Sequence, residues 1–223
     1  MDLRQNLYNI TESLPEEVVL VAVSKTKPPE MVKELLSAGH LDFGENKVQE
    51  LVDKQQQLPG AIRWHMIGHL QTNKVKYIAP FVYLVHGVDS LKLLRVLNKE
   101  GKKNSRVINC LFQMHIATED SKFGLDQGEL EEILESVEYR EMEHINIMGM
   151  MGMATFTDDF DAVRREFRNL RRIFEEVKAD YYTGKSDFSI LSMGMSNDYL
   201  IAIEEGSNMI RVGSLLFGPR DYT

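Results

Sequence analysis

The run Val18-Val-Leu-Val-Ala-Val-Ser-Lys25 decides how this chain reads. Six apolar residues without polar alternation predict a strand buried on both faces, as in a parallel sheet. Pro28 and Pro29 then stop the strand and open a helix at a position where a missing N–H costs nothing. Side chains alternate along a strand, so Val19, Val21 and Val23 share a face with Lys25. The lysine therefore closes a stack of valines at the strand's C-terminal tip. There it either snorkels to solvent or serves as a working amine.

Working outward, Leu3, Leu7 and Ile10 fall on one helical face, which predicts a leading helix over residues 2–14. Downstream, Val32, Leu35 and Leu36 form a stripe that ends at Gly39, a helix C-cap residue. Strands are predicted over 41–45, 63–67, 82–88, 107–116, 145–153, 188–193 and 209–217. Helical segments lie between them: 46–57, a stretch through 74–78, the stripe of Leu91, Leu94 and Leu97, and 197–205. Residues 99–104 read as a polar turn and 118–124 as a polar loop. Leu130, Ile133, Leu134 and Val137 fit one helical face, and Phe160, Val163, Phe167, Leu170, Phe174 and Val177 mark the longest helix. The arginines of that helix (Arg164, Arg165, Arg168, Arg171 and Arg172) are interspersed with acids, which predicts a solvated outer face.

Eight strands thus alternate with helices, with no shift in composition between them. The pattern predicts a single domain over residues 1–223: a closed (β/α)8 barrel with a leading N-terminal helix. An open doubly wound sheet is the alternative, weakened because no glycine-rich dinucleotide turn follows the first strand.

Composition narrows the function classes. The 223 residues carry 26 basic and 34 acidic side chains, a net charge of −8 that argues against a nucleic-acid or anionic-membrane surface. The one cysteine, Cys110, excludes an intrachain disulfide and a cysteine-rich zinc site, and its mid-strand position predicts a buried, inert thiol. The start has no apolar leader and no stretch is long enough to span a bilayer, so a cytoplasmic protein is expected.

In a barrel the strand tips line one mouth, and the loops after strands seven and eight are its common phosphate site. Here those loops carry glycine with serine (Ser192, Gly194, Ser196; Gly213, Ser214), so backbone N–H groups and hydroxyls can meet an anion. A lysine on strand one facing such a cradle suits a phosphorylated aldehyde, the amine forming an imine while the phosphate anchors the far end. Arg211 shares the face of Gly213 and should point into the same mouth. A ring nitrogen beside a guanidinium stays unprotonated, because arginine only donates. His65 and His69 as metal ligands are disfavoured, since they straddle a strand end and lack the supporting Glu-x-x-His. The methionines of 148–153 and 193–195 read as flexible core filler. Glu45 is either a general base or, the preferred reading, a helix-start carboxylate.

Six segments carry a specific resemblance: Val21-Ala-Val-Ser-Lys25-Thr-Lys-Pro28, Phe43-Gly-Glu-Asn46, Trp64-His-Met-Ile-Gly-His-Leu-Gln-Thr-Asn-Lys74, Met150-Met-Gly-Met153, Leu191-Ser-Met-Gly-Met-Ser196 and Ile210-Arg-Val-Gly-Ser214. Together they resemble the YggS/PROSC family of pyridoxal-phosphate (PLP) homeostasis proteins, similar in fold to the barrel domain of alanine racemase. The resemblance implies a PLP imine at Lys25 and phosphate contacts from Ser192, Ser196, Gly213 and Ser214, with Met193 among the binding residues. It also implies Arg211 near the pyridine nitrogen and Asn46 lining the pocket. The one departure is a short N-terminal lead. A carrier that holds and delivers the cofactor without catalytic residues or metal is expected, as a monomer that passes PLP to apo PLP-dependent enzymes. The alternative is a PLP enzyme such as an amino-acid racemase. Racemisation needs a second acid–base group on the other face of the ring, which in barrels of this kind comes from an added β-domain. A Schiff-base aldolase acting on a sugar phosphate would use the same lysine and cradle.

Overall fold

The structure is a computed structural model that describes residues 2–118 and 123–219. Its strands are β1 (Val19–Val23), β2 (Asp42–Glu45), β3 (Arg63–Met66), β4 (Leu84–Val88), β5 (Ile108–Met114), β6 (Ile145–Gly152), β7 (Ile190–Ser192) and β8 (Met209–Val212). All pair in parallel and in chain order, and β1 joins β8 to close the barrel. The helices are α1 (Leu3–Glu12), α2 (Pro29–Ser37), α3 (Val48–Gln57), α4 (Val75–Ile78, entered through a 3-10 turn), α5 (Leu91–Lys103), α6 (Gln127–Glu135), α7 (Val137–Arg140), α8 (Phe160–Tyr181), α9 (Tyr199–Glu204) and α10 (Ser214–Phe217). The closed (β/α)8 barrel with its leading helix is as the sequence predicts.

Alternation along the strands separates two cores. Leu20, Ala22, Phe43, Trp64, Met66, Cys110, Phe112, Ile210 and Val212 face outward into the layer shared with the helices. Val21, Leu84, Leu111, Met151 and Met209 face inward and pack together as the barrel's own filling, with Met148, Met153 and Ile190 against them. Cys110 is fully buried, and burial pushes its thiol pKa up, so it is an inert part of the outer layer.

Local chemistry sets the element ends. After α2, the His40 N–H donates to Leu35 O and the Gly39 N–H to Leu36 O. With Gly39 at φ 91°, these two bonds satisfy the last carbonyls of the helix. Asp126 and Glu129 form a reciprocal capping box at the start of α6. Gly149 lies at φ 148°, and a Cβ there would sit 1.8 Å from Ile190 O, so this strand residue must be glycine.

Three expectations are corrected. Residues 99–104 are not a turn: α5 continues to Lys103, its lysines lying on the solvated side of a helix whose apolar stripe runs on to Gly101. The stripe through Val137 breaks at Ser136, which is extended (ψ 136°), accepts from the Tyr139 N–H and starts α7, leaving Val137 68% exposed. The last strand ends at Val212, and Ser214–Phe217 is a helical turn. The outer face of α8 is charged as predicted, with Arg164 and Arg168 paired to Glu205 and Arg172 to Glu176. Of the predicted loop 118–124, residues 119–122 lie outside the described residues.

Phe167 on α8 is fully buried against the barrel. Phe167→Ala should lower unfolding stability by about 3–5 kcal/mol, read as a shifted urea midpoint with an unchanged slope.

Candidate cofactor-binding site

The turn that carries Lys25 is clamped from below. Ser24 is buried and donates from Oγ to Glu45 Oε1 at 2.7 Å. Lys54, on α3 and only 3% exposed, donates from Nζ to Ser24 O, Glu45 Oε1 and Glu50 Oε1 at 2.7, 2.7 and 2.8 Å. Glu50 Oε1 also accepts the Thr26 N–H at 2.6 Å, and Thr26 is a non-glycine residue at φ 64°. One buried ion-pair cluster thus holds both residues flanking Lys25 and turns the lysine toward the barrel mouth. Burial pushes the Glu45 carboxyl pKa up against the opposing pull of Lys54. The expected helix-start role for Glu45 is corrected, since α3 begins at Val48 and Glu50 is the acid in its first turn.

Above this turn lies a cavity of about 460 Å³ at the C-terminal ends of the strands. Lys25, Asn46, Ser196, Arg211, Gly213 and Ser214 all line it, as the sequence reading expects. Ser196 Oγ sits 3.3 Å from the Gly213 N and 3.5 Å from the Leu215 N and accepts from both. These two N–H groups hold the Ser196 hydroxyl at the loops after β7 and β8 as an acceptor and leave its O–H to donate, as to an anion. Gly68 permits the close approach that shapes the opposite wall, because a Cβ there would lie 2.4 Å from Asn46 O.

Arg211 enters from β8 and is 4% exposed. Its Nη1 donates to Ser192 O at 2.9 Å and Ser192 Oγ at 2.6 Å, and its Nη2 to Gly152 O at 3.0 Å. Burial pushes its pKa down to about 10, so it remains a cation at neutral pH.

Two predicted residues are placed elsewhere. Ser192 does not line the cavity; it is fully buried beneath it, with its hydroxyl engaged by Arg211. Met193 alternates outward into the helix-facing core, and its N–H donates to Ser207 Oγ. His65 is not at the mouth either: it is fully buried within the barrel against Asp42 and His86. His69 does line the mouth, stacked on Phe123 at 4.2 Å and paired with Asp89. Among the described residues no group of three His, Cys, Asp or Glu side chains could hold a metal ion. Sequence reasoning missed Gln113, which alternation on β5 could have placed at the mouth, and Lys54, whose i,i+4 spacing from Glu50 is a local signal but whose contact with Ser24 spans 30 residues.

The family described as "Alanine racemase, N-terminal domain" matches residues 1–221. A pyridoxal phosphate homeostasis protein of Aquifex aeolicus is 37% identical over 204 residues, covering 91% of this chain and 87% of that protein. One from Escherichia coli is 36% identical, covering 100% of this chain and 98% of that protein. The chain belongs to the YggS/PROSC family of pyridoxal phosphate homeostasis proteins. Among solved structures, PipY of Synechococcus elongatus with PLP bound superposes with a TM-score of 0.89 at 30% identity, covering 97% of this chain and all of that one. Alanine racemase of Clostridium difficile, at 19% identity and TM-score 0.79, shares the barrel fold with this family member and covers 98% of it.

The clamp makes a stability prediction. Lys54→Met should cost about 3–5 kcal/mol by leaving Glu45 buried without its cation. The double variant Lys54→Met/Glu45→Leu should recover most of that loss in the same urea titration.

Proposed function

We propose that this chain binds PLP covalently through Lys25 and serves as a carrier in PLP homeostasis, without turnover of its own. One observation carries the reading: a single cavity brings together a lysine amine, a buried guanidinium and the Ser196 and Ser214 hydroxyls beside Gly213. Each matches one part of the ligand. Lys25 would condense with the aldehyde, releasing water; Arg211 can only donate, as a pyridine nitrogen requires; and Ser196, Gly213 and Ser214 suit a phosphate. Asn46 would border the ring. PLP supplies, when bound, an electrophilic carbon conjugated to an electron-withdrawing ring.

The carrier role rests on the same geometry. A ring nitrogen facing Arg211 is held unprotonated and is a weak electron sink, which disfavours decarboxylation and transamination. The relatives' names, as homeostasis proteins, support this reading. Among the described residues no helix is long and apolar enough to cross a membrane. We place the protein in the cytoplasm, as a one-domain monomer over residues 1–223 that delivers PLP to apo PLP-dependent enzymes.

The purified protein, incubated with PLP, should show a visible imine band that borohydride abolishes, with the added mass on the Lys25 peptide. Lys25→Ala should lose the band while its ligand-free stability stays within about 0.5 kcal/mol of the parent. Absence of the band in the parent protein overturns the reading, and amino-acid racemisation by the loaded protein would replace the carrier with an enzyme.

Arg211→Ala should weaken PLP binding roughly ten- to a hundredfold, the worth of a hydrogen bond to a charged group. It should also shift the visible band. An unchanged spectrum would mean that Arg211 does not meet the ring.

A further inference from the structure

A file of buried polar groups crosses the barrel beneath the cavity. His65 Nε2 lies 3.0 Å from Asp42 Oδ1, and His65 Nδ1 lies 2.9 Å from His86 Nε2. His86 Nδ1 lies 3.4 Å from Ser192 Oγ, which is 2.6 Å from Arg211 Nη1. Both histidines are fully buried. At the outer end, Arg63 Nη2 donates to Asp42 Oδ2 at 2.5 Å.

The two ends of this file set its direction. Arg211 can only donate, so Ser192 Oγ accepts from it and gives its own proton to His86 Nδ1. A carboxylate can only accept, so Asp42 receives the proton on His65 Nε2. With neutral rings, His86 must carry its proton on Nε2 and present it to His65 Nδ1. Four hydrogen bonds then point one way, from Arg211 to Asp42. Burial holds both histidines below their usual pKa, which keeps the rings neutral.

We propose that Asp42, His65, His86 and Ser192 are positioning residues: a one-directional hydrogen-bond relay, anchored at its far end on the Asp42 carboxylate, that pins the Nη1 edge of Arg211. Ser192 O, Ser192 Oγ and Gly152 O take up three of the five guanidinium donors. The remaining donors are thereby fixed in orientation toward the cavity that Arg211 lines. The inference rests on the PLP reading only for the identity of the atom that Arg211 meets. Aligned dipoles along such a file reinforce one another, so a cut at any member should be felt at the others.

The test has two readouts. In the ligand-free protein, two-bond proton–nitrogen correlation spectra of 15N-histidine-labelled samples should show His65 and His86 neutral at pH 7, each protonated on Nε2. Asp42→Asn should move the ring-nitrogen signals of His86 as well as those of His65. A proton on Nδ1 of either ring, or a charged His65, overturns the relay whether or not PLP binds. In the presence of PLP, His86→Leu should weaken binding roughly three- to tenfold, the net worth of one hydrogen bond. Ser192→Ala, a smaller change, serves should His86→Leu fail to fold. Correct tautomers with unchanged PLP affinity in these variants would reduce the relay to a structural feature and overturn the positioning role. Unchanged PLP affinity and spectrum in Arg211→Ala as well would instead overturn the contact between Arg211 and the ligand.

Discussion

A guanidinium in the interior of a parallel barrel constrains everything around it. Removing such a charge from water costs several kcal/mol even after relaxation, so it persists only where oxygens face it. Arg211 meets that condition through Ser192 O, Ser192 Oγ and Gly152 O, two carbonyls and a hydroxyl from the tips of the two preceding strands. Those acceptors exist because β6, β7 and β8 hold their register, Met151 opposite Ser192 and Ser192 opposite Met209. The register in turn depends on Gly149, where no side chain fits beside Ile190. The facing oxygens hold the cation, while burial lowers its pKa to about 10 against the opposing pull of the Asp198 carboxylate, so it stays charged at physiological pH.

The barrel therefore divides its interior by height. Low in the barrel, Val21, Leu84, Leu111, Met151 and Met209 fill the space with apolar side chains. Alongside them runs the polar file from Asp42 to Ser192, which keeps its groups satisfied by pairing them with one another. Above, the cavity begins where strands give way to loops. Glycine at 68 and serine at 196 leave room and donors there that larger apolar residues would remove. A hard, satisfied floor under an adaptable mouth is the arrangement that lets one end of the fold carry chemistry while the other carries stability.

Much of this was legible in the sequence because strand alternation is a strict rule. Period two put Lys25 on the face of Val21 and Val23, and Arg211 on the face of Gly213, and the cavity contains all of these but Val21. The same rule should have excluded Met193, which alternates outward from Ser192. Helix ends were less legible. The lysines at the end of α5 read as a turn because a solvated face and a loop share composition, and Ser136 broke a periodic stripe by capping the next helix. The clamp and the relay were invisible for a different reason. Lys54 meets Ser24 across 30 residues and His86 meets Ser192 across 106, and no local pattern encodes contacts that only barrel closure creates.

Lys25 and Lys27 line the mouth, and Lys54 lies buried on α3 beside the turn that carries Lys25. Lys54 is buried with a backbone carbonyl and two carboxylates on its ammonium group, which fixes its position. Lys27 borders the cavity but donates to Pro219 O at 2.9 Å, reaching toward the chain that follows α10. Lys25, half-buried and facing the same space as Arg211, sits between residues whose backbones are locked by the Lys54 cluster. The cluster on α3 thus does more than stabilise a turn: by committing Lys54 to Glu45 and Glu50, it fixes the backbone that aims Lys25 at the cavity.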